Sequence, residues 1–469
     1  MTSQIAFLGA YLIGLIVLGV AIGRKVDSSG AFFVAGRRLG PLLIFATVLA
    51  ANIGAGSTVG AAGLGYRDGL AAWWWVGSAG IGTLLLAFWI GPRIWRLAKE
   101  HDLHTMGDYL ELRYGQSVRA TIAILLWIGT LAILAGQLIA LAWILDVVAG
   151  IPKTAGCLIG GLVMTAYFAA GGLLTSAWVN LVQLVVLLTG LGLALPWALS
   201  EVGGWSAVVA AAPAASDDYL HFWSGGASGW HYMVLLVPAF IISPGLVQKA
   251  YGARDARAIR IGLGASGLAL MAFAAVPPIL GMLARAANPA LENRELALPW
   301  LLSELLPPAV GSLALAAVLS AELSSADAIL FMLSTSLSKD LYKRFYRPEA
   351  SDAEILKVSR LAAVVGGGLG VLLAILLPSV IGSLSVFYSL LSVSLFVPVV
   401  VGLHSRRVGA PEALAAIASG VTALVAARLA PPLPSVLTPT TVGLIVTALV
   451  FGLFAVVRAI IAEEVARKE

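Results

Sequence analysis

Long apolar runs alternate with short polar stretches along the whole chain. About 20 predominantly apolar residues are needed for a helix to cross a bilayer, and charges, Pro and Gly clusters mark where such runs end. The pattern therefore predicts thirteen transmembrane helices. They fall near residues 4–23, 41–63, 69–91, 119–148, 154–170, 174–197, 230–250, 261–284, 309–337, 359–378, 380–403, 412–429 and 438–457.

Composition and charge agree with an integral membrane protein. Of 469 residues, 60% are hydrophobic and 11% are charged, whereas soluble domains have about 45–50% apolar and about 25% charged residues. Lys and Arg accumulate in cytoplasmic loops. With the N-terminus outside and the C-terminus in the cytoplasm, only five of the 29 basic residues fall on the outer face: Arg67, Lys153, Arg285, Arg294 and Arg428. The net charge of +5 follows from this asymmetry and indicates no nucleic-acid partner.

Two apolar runs are interrupted in mid-span. Residues 50–60 read "AANIGAGSTVG" and residues 237–245 read "VPAFIISPG", so that Gly weakens the first helix and Pro the second. In hydrocarbon, unpaired backbone groups are tolerated only where they line a cavity or are buried in protein. Gly and Pro are also common in ordinary membrane helices, which is the alternative for either break alone.

The two interrupted runs occupy corresponding places in two halves of the chain. Each opens a set of five runs, and because five is odd the two sets cross the membrane in opposite directions. Such pairs indicate a transporter site between inverted repeats. The predicted division is an extra helix and cytoplasmic loop at 1–40, a first repeat at 41–197, an extracellular loop at 198–229, a second repeat at 230–404, and two helices with a short cytoplasmic tail at 405–469.

Six segments in order along the chain resemble the sodium:solute symporter family. They are "FFVAGRRLG" at 32–40, "AANIGAGSTVGAAGLGY" at 50–66, "LHTMGDYLELRYG" at 103–115, "GGLLTSAWVNLVQ" at 171–183, "LVQKAYGARDARAIR" at 246–260 and "AELSSADAILFMLSTSLSKDLYKRF" at 321–345. Members of the family carry small solutes such as sugars, sialic acid, proline and pantothenate. The resemblance implies an all-α membrane protein with a 5+5 inverted-repeat (LeuT-like) core and flanking helices.

In this family a sodium ion lies between the unwound part of the first core helix and the eighth core helix. The resemblance implies five oxygen ligands, three carbonyls and two hydroxyls: those of Ala50, Ile53, Ala321, Ser324 and Ser325. A hard cation prefers oxygen, and an unwound helix frees carbonyls. At 100° per residue, Ala321, Ser324 and Ser325 also share one helix face. Alternatively, the two serines bond back to carbonyls one turn earlier in their own helix.

Two carboxylates flank these serines in the same apolar run. Some family members hold a second sodium with an Asp where Asn180 stands here, and Asp327 could supply that charge as a neighbour of Asn180 or could simply link helices. Glu322 has three possible roles: a structural protonated carboxyl, a proton-coupling group or a solute contact. A charge at mid-membrane costs about 2.5–3.5 kcal/mol, so Glu322 should face protein or water and not lipid.

The solute is expected beside the two breaks. Candidate contacts are Asn52, Ser57, Thr58, Trp74 as one of three consecutive tryptophans, Gln137, Phe240, Ser243, Phe387 and Tyr388. Neither Lys nor Arg is expected in this cavity. A neutral, zwitterionic or small monoanionic solute therefore remains open.

The resemblance implies a sodium-coupled secondary active symporter that imports a small organic solute by alternating access, in the plasma membrane of a bacterium (its inner membrane). The alternatives are a proton-coupled transporter of the same fold and a transporter-like solute sensor that works with a separate partner. The sequence shows neither a catalytic nucleophile nor a P-loop or cofactor motif, so we expect no enzymatic activity. Its expected partners are the solute, Na+ and the lipid bilayer, with no obligatory protein partner and no transition metal.

Overall fold

The computed structural model describes residues 2–23, 37–169, 173–212, 217–223, 229–405, 408–430 and 437–466. These residues are almost entirely helical, with one isolated backbone bridge between Leu39 and Ala253. Parts of the segments quoted above at 32–40 and 171–183 lie outside the described residues.

Twenty α-helices make up the described chain. They are α1 Thr2–Gly23, α2 Pro41–Asn52, α3 Ala61–Asp68, α4 Trp73–Leu85, α5 Gly91–Glu100, α6 Met106–Tyr114, α7 Gln116–Ala149, α8 Lys153–Ala169, α9 Leu173–Val202, α10 Trp205–Ala210, α11 Tyr232–Ile241, α12 Pro244–Tyr251, α13 Ala256–Phe273, α14 Val276–Ala287, α15 Ala297–Trp300, α16 Pro308–Thr335, α17 Asp352–Leu376, α18 Val380–His404, α19 Ala410–Leu429 and α20 Pro439–Ala466.

Shorter helical pieces extend several of these elements. π-Helical segments span Gly56–Gly60, Leu86–Ile90, Leu301–Leu305 and Ser336–Tyr346, and 3₁₀ turns span Gly69–Ala72, Asp217–Leu220 and Arg294–Leu296.

Ten helical stretches of the described chain are long and apolar enough to cross a membrane. Three shorter apolar helices accompany them, at Gln4–Leu15, Pro41–Asn52 and Lys153–Thr165. Each of the thirteen predicted spans overlaps one of these helices. The prediction of an all-α membrane protein is confirmed, while the number of thirteen crossings and the orientation of the termini stay predictions.

The first interruption lies where the small residues of "ANIGAG" predict it. Helix α2 ends at Asn52, and Ile53 takes an extended conformation with φ −100° and ψ 101°. The chain resumes as the π-helical segment Gly56–Gly60 and continues into α3. Carbonyls around Ile53 consequently lie outside a regular helical ladder.

The second interruption separates α11 from α12. Ile242 and Ser243 leave helical geometry, and Pro244 then opens α12 at its first turn, where a missing N–H costs nothing. Pro238, in contrast, lies inside α11 and does not end it. Both predicted breaks are therefore confirmed, but only one of the two prolines marks the second.

Helix α16 runs through the centre of the protein, and it is buried along most of its length. It packs against α2 and α9, and the hydroxyl of Tyr11 on α1 contacts that of Ser320. Helix α9 approaches α16 so closely at Gly190 that a Cβ there would lie 2.6 Å from the Cβ of Ala317. The polar stretch that begins at Ser320 therefore faces neighbouring helices and not lipid.

Candidate functional site

Both serines of α16 face the interrupted part of α2. The Oγ of Ser324 donates to the carbonyl of Ala50 at 2.8 Å. The Oγ of Ser325 lies 3.1 Å from the carbonyl oxygen of Ala51 and 3.2 Å from that of Ile53. All of these residues are buried or nearly so. The break in α2 and the serine pair thus form one cluster of oxygen atoms.

The carbonyl of Ala321 completes the predicted set. Ser324 also contacts this oxygen at 3.0 Å, within its own helix. The alternative, in which the two serines bond to carbonyls of their own helix, is therefore partly correct for Ser324. It does not describe Ser325, whose hydroxyl contacts the carbonyl oxygens of Ala51 in α2 and of Ile53 directly after it. The structure brings all five predicted groups together at one place.

Gln137 of α7 supports the other side of the break. Its Oε1 accepts a hydrogen bond from the amide of Ala55 at 2.9 Å, which satisfies a backbone group that the interruption would otherwise leave bare. Gly54 lies between Ser325 and Gln137. A Cβ at this position would lie 2.3 Å from the Oγ of Ser325 and 2.8 Å from the Oε1 of Gln137. Close approach of α16 and α7 to the break therefore requires glycine here.

Glu322 is completely buried and contacts the same segment from another side. Its Oε1 lies 2.9 Å from the hydroxyl of Thr58, and this hydroxyl also lies 2.9 Å from the carbonyl of Gly54. Within the described chain its second oxygen, Oε2, has no hydrogen-bond partner. Since Glu322 does not line the solute cavity described below, a direct solute contact is the least supported of its three roles.

Asp327 has a cationic partner that the sequence did not indicate. Lys249, near the end of α12, is buried, and Asp327 lies near enough to interact with it electrostatically. Asn180 and Asp327 lie buried on α9 and α16, two helices that pack together, and their being direct neighbours stays a prediction. A second sodium at Asp327 would have to compete with the ammonium of Lys249.

A cavity opens beside the oxygen cluster, between the two helix breaks. Its wall combines the polar residues Asn52, Ser57, Gln137, Ser243, Lys249 and Ser325 with aromatic and aliphatic ones that include Trp75, Phe240, Phe387, Tyr388 and Met332. Seven of the nine predicted solute contacts belong to this wall.

Aromatic contacts connect the two sides of the cavity. The ring of Tyr388 lies 5.4 Å from that of Phe240, 5.3 Å from that of Phe387 and 6.1 Å from that of Trp75, measured between centroids. Such spacing is typical of favourable edge or tilted aromatic pairs. These ring contacts hold helices α4, α11 and α18 around the cavity.

Two predicted solute contacts lie elsewhere. Thr58, in the π-helical segment Gly56–Gly60, contacts Gly54 and Glu322 and does not line the cavity. Trp74 donates its indole N–H to the carbonyl of Phe222 at 2.8 Å and packs in an aromatic cluster on the loop there. Trp75, the next residue of α4, points into the cavity instead.

The expectation that the cavity holds neither Lys nor Arg is wrong, since Lys249 lines it. The distribution of basic residues placed this lysine on the cytoplasmic face, together with the basic residues that follow it. Its place inside the predicted span at 230–250, one residue before that span ends, was the signal that could have identified it.

Comparison with known proteins agrees with this geometry. The model of the sodium:solute symporter family matches residues 32–420. The sodium/pantothenate symporter of Escherichia coli (strain K12) is 30% identical over 444 residues, covering 88% of this chain and 87% of the relative. The high-affinity choline transporter 1 of Drosophila melanogaster is 26% identical over 419 residues, which are 84% of this chain and 65% of that protein.

A solved structure matches the fold over almost its full length. It is the substrate-bound outward-open state of a Na+-coupled sialic acid symporter, with a TM-score of 0.82, 20% sequence identity and 97% of each chain covered. This likeness shows the LeuT-like fold. Given the family match over most of its length, this chain belongs to the sodium:solute symporter family.

Proposed function

We propose that this protein couples the inward movement of Na+ to the import of a small organic solute across the plasma membrane of a bacterium. The observation that carries the proposal is the convergence of the Ser324 and Ser325 hydroxyls on carbonyls of the interrupted helix α2. A Na+ ion among these oxygens would accept lone pairs that the two hydroxyl protons now occupy. Each serine would then rotate its proton away and turn its oxygen to the ion.

The ion would also connect the two moving parts of the proposed mechanism. Segments 41–197 and 230–404 serve as the inverted repeats, and the oxygen cluster lies where α2 of the first meets α16 of the second. Sodium would hold α2 and α16 together and fix the positions of Asn52 and Ser57 in the solute wall. Ion and solute would then favour the same conformation, which is the requirement for coupling.

The test is ion binding to the purified, membrane-reconstituted protein. We expect saturable binding of ²²Na+ that excess unlabelled Na+ displaces and K+ does not. A solute panel is then screened by thermal shift in NaCl and in KCl of equal ionic strength. Solute stabilisation that requires Na+ supports symport. Absence of ²²Na+ binding, or solute stabilisation that is equal in both salts, contradicts it.

Proton coupling is a second candidate, and the contacts of Thr58 favour it. One hydroxyl proton cannot serve the carbonyl of Gly54 and the carboxyl of Glu322 together, whereas a protonated Glu322 could donate to Thr58 and complete the arrangement. This candidate predicts solute uptake into proteoliposomes that is driven by an inward proton gradient without Na+, and that Glu322→Gln abolishes. Uptake that needs Na+ and is unchanged in Glu322→Gln contradicts it.

A further inference from the structure

Glu295 is a buried carboxylate in the connection between α14 and α16, and it does not line the solute cavity. It lies in the 3₁₀ turn Arg294–Leu296 and is 2% exposed. Its Oε1 accepts a hydrogen bond from the backbone amide of Val380 at 2.8 Å, and its Oε2 accepts one from the indole N–H of Trp143 at 3.2 Å. Each carboxylate oxygen thus joins the connection to a different helix, α18 or α7.

The bond to Val380 places a negative charge at the first residue of α18. The first amides of a helix have no acceptor within it, and the helix dipole gives this end a partial positive charge. Ser379, directly before the helix, already caps it through a hydroxyl that accepts from the amide of Gly382 at 3.2 Å. Glu295 lies 85 residues away from Val380 in sequence. Its bond is therefore a tertiary contact, which α18 does not need in order to begin.

Lys153 holds the other side of the short turn between α17 and α18. Its Nζ donates to the carbonyl of Leu377, at the end of α17, at 2.7 Å. The same ammonium lies over the ring of Trp143, 5.8 Å from its centre. A cation at the end of one helix and a carboxylate at the start of the next both agree with the helix dipoles. The turn is consequently held from two sides, and Trp143 contacts both charged groups.

The turns of α18 that follow Val380 cover one side of the solute cavity. A Cβ at Gly56 would lie 2.3 Å from the Cδ2 of Leu384, and one at Gly136 on α7 would lie 2.2 Å from its Cδ1. Leu384 is therefore packed tightly between α7 and the interrupted segment that follows α2. Three side chains of α18 line the cavity: Leu384, Phe387 and Tyr388.

The connection that carries Glu295 is itself bound to α3, which continues the first interrupted helix. The hydroxyl of Tyr66 on α3 donates to the carbonyl of Asn288 at 3.0 Å and accepts from the amide of Leu291 at 3.3 Å. Lys153 belongs to the basic residues predicted on the outer face. In the predicted orientation, Glu295 therefore joins α18 to α7 and to the connection at the outer end of the cavity.

We propose that Glu295 is a positioning residue whose two hydrogen bonds, here called the outer latch, hold the start of α18 against α7 and keep the solute cavity closed toward the outer face. Release of the outer latch lets α18 tilt away and opens a passage for the solute. The inference rests on the proposed function, because it assigns a gate to the import of the same solute.

Thiol labelling from each side of the membrane tests the outer latch. Cys157, the one cysteine of the chain, is replaced by Ser, and Val76→Cys on α4 places a single thiol in the cavity wall. The membrane-impermeant reagent MTSET is added to right-side-out and to inside-out membrane vesicles in KCl without Na+. We expect Glu295→Ala to raise the labelling rate at least about tenfold from the outer side, and to leave it equal or lower from the inner side.

Matched variants separate a gate from a merely structural contact. Trp143→Phe keeps the ring but removes its N–H donor, so it should raise outer labelling by a smaller factor. Glu304→Ala, an exposed glutamate of the same connection, is the control and should label as the parent protein does. General loosening of the fold would raise labelling from both sides. That result, or equal outer labelling in Glu295→Ala and Glu304→Ala, overturns the proposal. If Glu295→Ala does not fold, Trp143→Phe is judged by the same criteria.

Sodium binding separates this inference from the proposed function, because the labelling is carried out without Na+. If outer labelling rises as expected but the wild-type protein binds no ²²Na+, the outer latch stands and symport fails. If ²²Na+ binds but outer labelling is unchanged in both latch variants, symport stands and the assignment of Glu295 fails.

Discussion

The hydroxyl oxygen of Ser325 lies 3.2 Å from the carbonyl oxygen of Ile53, across the point where helix α2 stops. This contact joins the centre of one proposed repeat to the centre of the other. It exists because Ile53 has left the helical conformation, which turns its carbonyl toward α16 and away from the next turn of α2. An oxygen pair of this kind is stabilised either by the serine proton, as here, or by a cation that replaces it.

Ser325→Ala should weaken Na+ binding much more than it weakens the fold. The substitution removes one of the proposed ligands, and loss of about 1.4 kcal/mol of binding free energy corresponds to a tenfold higher Kd. The measurement is a ²²Na+ saturation curve on reconstituted protein. The matched control is Ser334→Ala, which removes a buried hydroxyl of the same helix that bonds only to Phe331. Equal Na+ affinity in the two variants would contradict the proposed ligand role.

Gly54→Ala should displace Ser325 or Gln137, the two side chains that contact the interruption after α2. The new Cβ would lie 2.3 Å from the Oγ of Ser325 and 2.8 Å from the Oε1 of Gln137, so at least one of them has to move. We expect Na+ affinity to fall by more than about tenfold and Na+-dependent thermal stabilisation to shrink with it. Gly192→Ala is the control, because a Cβ there has nothing within 4 Å. Wild-type Na+ affinity in Gly54→Ala would show that the packing around the break tolerates a methyl group.

Local sequence rules were sufficient to predict the breaks and the serine face. Gly and Pro act on the chain within a turn of their own position, and residues at i, i+3 and i+4 share a helix face whatever the tertiary structure. The positions of Trp74 and Trp75 could not be distinguished in this way. Which of two adjacent tryptophans faces the cavity depends on the rotation of α4 about its axis, and this rotation is set by packing against the loop at Phe222.

Lys249 illustrates a second limit of the sequence. A lysine at the end of an apolar run is ordinarily taken for a loop residue, since its long side chain can reach the interface. Here its environment is set by burial and by Asp327, which lies on α16, far away in sequence. Pairing of charges across helices depends on distances that one sequence does not contain, so the charge of the cavity was predicted wrongly even though its polar residues were largely predicted.

Trp75→Phe and Trp74→Phe should have different effects on solute binding. Trp75 lines the cavity, and its ring lies 5.0 Å from that of Tyr232 and 6.1 Å from that of Tyr388. Trp74 instead ties α4 to the loop at Phe222. For the solute found in the thermal-shift screen, we expect the Kd to rise several-fold in Trp75→Phe and to stay within about twofold in Trp74→Phe, a difference of less than about 0.5 kcal/mol. The opposite ranking would place the solute nearer the loop at Phe222.

Glu322→Gln tests the structural role of this buried carboxyl. If the side chain is neutral and hydrogen-bonded to Thr58, an amide of the same shape should replace it with a change in stability within about 1 kcal/mol. Glu322→Ala, which leaves Thr58 without this partner and creates a cavity, should be clearly less stable. The midpoint of thermal unfolding of each variant, measured in NaCl, provides the comparison. Glutamine and alanine variants of equal, low stability would show that the charged form is required.

Arg119, near the start of α7, should be required for the stability of the protein at this end of the helix. Its guanidinium lies 2.9 Å from Asp108, 2.8 Å from Glu111 and 2.6 Å from Asp340, and its side chain is 7% exposed. Removal of one member of a buried ion cluster typically costs about 3–5 kcal/mol, because the remaining charges lose their compensation. Arg119→Gln should therefore lower the thermal unfolding midpoint strongly in both NaCl and KCl, since the oxygen cluster at Ser324 and Ser325 is not touched. Arg93→Gln, an exposed position on α5, serves as the control. A loss of stability confined to NaCl would instead connect Arg119 to the sodium-bound conformation.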